Sequence, residues 1–152
     1  MVTDWLLRIG NGINFRNSSK HLIWGINSKF AVGKFFVKEV KAGDRLWFVL
    51  SKTHGKILAV STFTQCKDRE LGPLVNMSLT NDELGWNKQE NKDQDWNVEI
   101  HYKELYNLED CDLVSNILGV STIRKYNPEK CKLDLPNEYL ALKRYLQVKE
   151  KF

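Results

Sequence analysis

At 152 residues, with 42% hydrophobic and 28% charged side chains, the chain suits one domain with its own core, and no run approaches the roughly 18–20 apolar residues that a membrane span needs. The formal charge of +4 is uneven: residues 1–56 carry ten Lys/Arg against three acids, net +7, and residues 57–152 carry thirteen against sixteen, net −3, a polarity that can steer a polyanion to one face. Cys66, Cys111 and Cys131 lie too far apart for a CxxC metal clip, and their odd number argues against a secreted disulfide frame.

The start of the chain, MVTDWLLRIGNG, lacks the apolar core of a signal peptide, so a single domain over 1–152, intracellular and either cytoplasmic or nuclear, is expected. Trp5 to Ile9 (WLLRI), bounded by Gly10-Asn11-Gly12, reads as a buried first strand ending in a turn. Residues 13–20 show neither period and read as a loop or a single helical turn. His21 to Trp24 is a short extended piece, and Gly25 lets the backbone come close to whatever the neighbouring indole faces. Asn27-Ser28 offers a helix N-cap. Beyond it, Phe30, Phe35, Phe36, Val37 and Val40 mix with Lys29, Lys34, Lys38 and Lys41, which predicts an amphipathic helix, broken or loosened at Gly33, with its lysines outward. Ala42-Gly43-Asp44 turns the chain into Arg45 to Leu50, apolar on both faces and hence a central strand. Lys52 to Gly55 is a hairpin turn, and Lys56 to Phe63 its partner strand. Beyond Gln65 the pattern lapses, with Leu71-Gly72-Pro73-Leu74 as an irregular link.

Thr80-Asn81-Asp82-Glu83 has capping-box spacing, cut short by Gly85, so the helix there is brief. Residues 81–95 are otherwise almost wholly polar, which leaves Trp86 either to fold back on the core or to close over a ligand. Trp96 to Tyr102 is the cleanest strand: Trp96, Val98, Ile100 and Tyr102 share one face, and Asn97, Glu99 and His101 share the solvent side. Leu113 to Leu118 reads as a short helix and Val120 to Tyr126 as a last strand. Tyr139, Leu142, Tyr145, Leu146 and Lys149 then fall at helical steps in a final helix over about 137–150. The sum is an α+β domain with a mostly antiparallel, barrel-like sheet and short flanking helices.

His21, His54 and His101 sit on a loop edge, a turn tip and a solvent-turned strand face, with no acid or thiol at a local catalytic spacing. No GxSxG elbow, HExxH helix, deaminase HxE with PCxxC, or phosphate loop is present. The expectation is therefore a non-enzymatic protein with no catalytic residues, no metal and no cofactor. Five tryptophans are a large payload for this length. Trp24 and Trp86 each adjoin a glycine in irregular sequence near positive charge, which suits stacking on a nucleobase or capture of a methylated ammonium.

Trp24-Gly25-Ile26-Asn27, the basic helix, Lys41-Ala42-Gly43-Asp44, Phe48-Val49-Leu50-Ser51 and the strand Ile57 to Phe63 follow an order that resembles the EVE domain of the PUA-like superfamily and the related YTH domains. Trp96 to Leu105 (WNVEIHYKEL) resembles the EVE strand that begins with Trp. The likeness covers residues 4–108, with Ile26 where that family has Arg and Val49-Leu50 where it has Tyr-His. It implies a PUA-like barrel whose pocket takes a flipped, often modified base between aromatic side chains. By position, Trp24 and Trp86 would form its walls, Asn11 and Asn14 would read the base edge, and Gly25, Asn27 and Ser51 would line it. Lys20, Lys29, Lys34 and Arg45 would hold phosphates. The expected partner is nucleic acid, RNA or modified DNA, with no membrane. The alternative from another class is a protein-interaction or regulatory module, motivated by the acidic rear segment and the helix over 137–149.

Overall fold

The computed structural model describes residues 2–50, 55–68, 79, 81–86, 96–109 and 123–126. In chain order these form β1 (Asp4–Arg8), α1 (Ile13–Ser19), β2 (Ile23–Ile26), α2 (Ala31–Glu39), β3 (Arg45–Val49), β4 (Ile57–Asp68), α3 (Asn81–Leu84), β5 (Val98–Asn107) and β6 (Ile123–Tyr126). The hairpin tip at 51–54, the link at 71–74, the helices expected at 113–118 and 137–150, and Ser51, Cys111 and Cys131 lie outside the described residues.

The strands form one curled six-stranded sheet in the order β2-β5-β4-β3-β1-β6. Four of its pairings are antiparallel, but β1 and β3 run parallel, Asp4 facing Arg45 through Arg8 facing Val49. The sheet is thus mixed: the expected antiparallel pairing holds for four of the five strand pairs and fails for β1 and β3. The cause is the connection: residues 9–44, holding α1, β2 and α2, form the long crossover that a parallel neighbour requires. Among the described residues β2 and β6 stand at opposite edges and do not pair, so closure is partial.

Three local expectations are also revised. Residues 13–19 make a full helix because Phe15 reaches the core at 0% exposure, while Asn11 Oδ1 accepts from Ile13 N (3.0 Å) and opens the first turn. Helix α2 runs unbroken through Gly33, because that residue faces the Asn27 carbonyl: a Cβ there would sit 2.1 Å from the oxygen. Strand β4 extends past Gln65 to Asp68, and register shifts at Val60/Thr62 and Phe63/Gln65 are what blur its alternation.

One face of the sheet carries the main core. Trp5, Leu7, Leu46, Phe48, Ala59, Phe63, Ile100 and Tyr102 pack there with Phe15 of α1 and Phe36 of α2. The other face is buried too, with Leu6, Trp47, Val49 and Val60 at 0–3% exposure. The Gly43-Asp44 turn ties the sheet together: Asp44 Oδ1 accepts from Thr3 N (3.0 Å), and Oδ2 accepts from Trp5 Nε1 (3.1 Å) and Lys41 N (3.0 Å). A buried carboxylate with three donors is satisfied, and it locks the start of β1 against the start of β3.

A candidate base-binding site at the tryptophan cluster

Strand β2 is an edge strand, and its sequence Ile23-Trp24-Gly25-Ile26 places alternate residues on opposite faces. Ile26 and, in part, Trp24 join the main core, where Trp24 meets the Phe15 ring edge-on at 5.9 Å. Ile23 belongs instead to a second cluster with Leu84 and Trp86, against which Trp24, Leu79 and Trp96 also pack. Trp24 is therefore the ring shared by both clusters.

Gly25 explains how this is possible. A Cβ at that position would lie 2.6 Å from Trp86 Cη2 and 3.0 Å from Trp96 Cβ, so only glycine lets the two indoles lie on the strand backbone. The segment that delivers Trp86 is fixed by α3. Leu84 is fully buried, Gly85 takes φ 77° to turn the chain, and Asn17 Nδ2 of α1 donates to the Gly85 carbonyl at 2.8 Å. Trp86 stands 6.0 Å from Trp24, ring centre to ring centre, at 79°, and Trp96 stands 5.1 Å from Trp86 at 67°.

Two indoles, one from edge strand β2 and one from the segment after α3, thus meet, and of the two outcomes foreseen for Trp86 the described state is the folded-back one, at 4% exposure. Trp24 remains half-buried. Sandwiching a base between two parallel rings needs about 7 Å, two van der Waals contacts of roughly 3.5 Å. Edge-to-face at 6.0 Å, the pair is closed on itself and leaves no such gap between the rings.

The polar residues named from the sequence are dispersed. Asn11 is exposed and its Oδ1 is engaged at the α1 N-terminus; Asn27 Oδ1 likewise accepts from Lys29 N (2.8 Å). Asn14 is half-buried on α1. Lys20, Lys29 and Lys34 are exposed on the segments that flank β2, at the end of α1, in the turn after β2 and on α2. Arg45 lies apart from them, three strand positions away on the opposite face, with Nε and Nη2 held by Asp4 Oδ1 (2.7 Å) and Oδ2 (3.0 Å), over the Trp47 ring. It borders a different hollow of about 170 Å³, with Thr62, Glu104 and Tyr106.

The sequence also missed contributors. Trp96 precedes β5 and packs on Trp86 rather than in the main core. Asn97 and Glu99, expected to face solvent, are 6% and 1% exposed. Asn97 exchanges hydrogen bonds with Ser28, accepting from its N at 2.9 Å and donating to its Oγ at 2.8 Å, and so pins the turn between β2 and α2. Glu99 Oε1 meets His101 Nε2 at 3.0 Å. Period-two alternation assigns a strand's two faces but not which of them is covered, and a Ser28 to Asn97 contact leaves no local mark. Among the described residues no group of three or more His, Cys, Asp or Glu is gathered to hold a metal ion, and no helix is long and apolar enough to cross a membrane.

No family model matches the sequence, and no curated protein matches it. Solved structures do. The YTH domain of Pho92 in complex with m6A aligns at TM-score 0.55 and 10% identity over 98% of this chain and 85% of that one. The YTH domain of Zygosaccharomyces rouxii MRB1 in complex with N6-methyladenosine RNA aligns at 0.50 and 8% identity, over 99% and 90%. ASCH from Zymomonas mobilis aligns at 0.50 and 10% identity, over 97% and 96%. The chain shares its fold with these YTH and ASCH structures. At these identities the shared property is that fold itself, the curled mixed sheet with its few short helices.

Proposed function

We propose that this chain is a non-enzymatic reader of nucleic acid, an EVE/YTH-type module that holds a modified nucleobase, such as a methylated one, against Trp24 with Trp86 as the second wall. The observation that carries the reading is the convergence of Trp24 and Trp86 at 6.0 Å on an edge strand, beside exposed Lys20, Lys29 and Lys34. A methyl group on a base is matched by an indole face without a hydrogen bond, and the lysines supply sequence-independent phosphate attraction. Two of the solved structures that share the fold are YTH domains bound to m6A or to N6-methyladenosine RNA. In this reading Trp86 is the wall that moves, leaving its place over Gly25 and beside Trp96 to admit the base. The test is a titration of wild type and Trp24→Ala with methylated and unmethylated oligonucleotides of one sequence. Wild type prefers the methylated strand, and the variant loses that preference. Equal affinities and unchanged discrimination in the variant would sink the reading.

A further inference from the structure

Helix α2 is fixed to the sheet by Phe36, which packs on Trp5 (5.0 Å) and Phe63 (6.0 Å), and by buried Gly33. Its other side is open. Phe30 is 66% exposed, Phe35 46% and Val37 37%, while Lys29, Lys34, Lys38 and Lys41 are all exposed around them. Over residues 29–41 four lysines stand against one acid, Glu39, net +3. The lysines and apolar residues interleave on this surface. A protein interface would concentrate its apolar residues and deplete lysine at the centre, and a membrane-surface helix would segregate the two sets onto opposite faces. Aromatic rings spaced between cations are what a single strand uses: a ring for a base, an ammonium for a phosphate.

We infer that the outer face of α2 carries the strand that flanks the base at Trp24, with Phe30 stacking on a neighbouring base and Lys34 and Lys38 on its phosphates. The inference rests on the reading above and extends it from one nucleotide to a path. Phe30 is the platform rather than Phe35, because Phe35 already lies against Trp5 (5.9 Å) with Lys125 Nζ 5.5 Å from its ring centre. Covalent geometry places Phe30 within about 20 Å of Trp24, six residues along the chain. That reach is consistent with the roughly 4–16 nucleotides a single-strand binding fold covers.

The experiment measures binding of oligouridylates of four and twelve nucleotides, over a salt series, to the full chain, Phe30→Ala and Lys34→Glu/Lys38→Glu; both variants change exposed side chains, and thermal melting verifies their folding. The wild type binds the longer strand more tightly. Phe30→Ala weakens it about tenfold, and the double variant lowers the slope of log affinity against log salt by about 1.4, near 0.7 for each lost single-strand phosphate contact. Wild-type affinity and slope in both variants overturn the path. So does binding to phosphatidylserine vesicles or a polyglutamate peptide in place of oligouridylate. The methylated and unmethylated pair, run on Trp24→Ala alongside, separates the two readings. Loss of discrimination there with unchanged α2 variants sinks the path and leaves the pocket; weakened α2 variants with intact discrimination in Trp24→Ala sink the pocket and support the path.

Discussion

Gly25 is the residue on which the candidate site turns. Its missing side chain admits Trp86 at a separation where a Cβ would meet the ring at 2.6 Å, and its backbone stays in the β2–β5 ladder opposite Glu99. Gly25→Ala leaves that ladder intact and pushes Trp86 off the strand. The expected outcome is a loss of about 1–3 kcal/mol of stability from overpacking, seen as a lower chemical-denaturation midpoint, together with a more solvent-exposed emission from Trp86. A variant as stable as wild type, with unchanged fluorescence, would mean that the indole does not rest there. Trp5 and Trp47 differ in kind: both are sealed at 0% exposure, and their Nε1 groups donate to Asp44 (3.1 Å) and Asp4 (2.8 Å). Two of the five indoles are therefore parts of the scaffold, joined to carboxylates that fix β1 against β3.

At the scale of the element, α2 shows how tertiary contact overrules intrinsic preference. Replacing a mid-helix glycine by alanine ordinarily stabilises a helix by about 1 kcal/mol. Here the new methyl would lie 2.1 Å from the Asn27 carbonyl oxygen and 3.0 Å from Ser28 Cα. Gly33→Ala is therefore destabilising, by about 1–3 kcal/mol, because the backbone turn it strikes is itself held by Asn97. Thermal or urea melting reads the sign directly, and a stabilised variant would contradict the described packing of α2 on that turn. The same contact shows why the expected loosening at Gly33 does not occur: the glycine serves close approach. Sequence marks a glycine, and only the partner across the fold decides between a break and a contact.

For the whole molecule, burial of acidic groups sets the alkaline limit. Desolvation pushes the Cys66 thiol up from 9.0 to about 11 and raises the Tyr102 phenol well above its ordinary 10.0. Both are neutral in the folded state, so their contribution to stability is complete below pH 9. Cys66 loses its share as pH rises from 9 to about 11, and Tyr102 begins to lose its own above pH 10. Stability should be flat with respect to these groups near neutrality and fall on the alkaline side, and Tyr102→Phe should shallow that fall. Among the described residues the Tyr102 hydroxyl has no hydrogen-bond partner, so the same variant should change neutral-pH stability by no more than about 1 kcal/mol. A loss of several kcal/mol, or an undiminished alkaline slope, would contradict this.

The fold was legible where short-range pattern is strong. Arg45 to Leu50 reads as a central strand because its apolar residues fall on both faces, and β3 does lie inside the sheet between β4 and β1. The order of motifs over residues 4–108 resembles the EVE and YTH domains, and the fold is shared with solved YTH domains. What stayed hidden depends on distance along the chain: the parallel β1–β3 pairing, the anchoring of Trp86 through Asn17 and Gly85, and the capture of Arg45 by Asp4. The resemblance implied a phosphate-holding role for Arg45, and the β1–β3 register sets it against the Asp4 carboxylate.

The central claim, that a modified base is held between Trp24 and Trp86, is tested most directly by following the indole N–H resonances of all five tryptophans by NMR during titration with methylated and unmethylated oligonucleotides. The rings should report separately, assigned by single Trp→Phe variants. The account predicts that Trp24 and Trp86 move, more strongly for the methylated strand, while Trp5 and Trp47 stay where they are. Resonances of Trp24 and Trp86 that remain still under a bound oligonucleotide, or that respond alike to both strands, would contradict it.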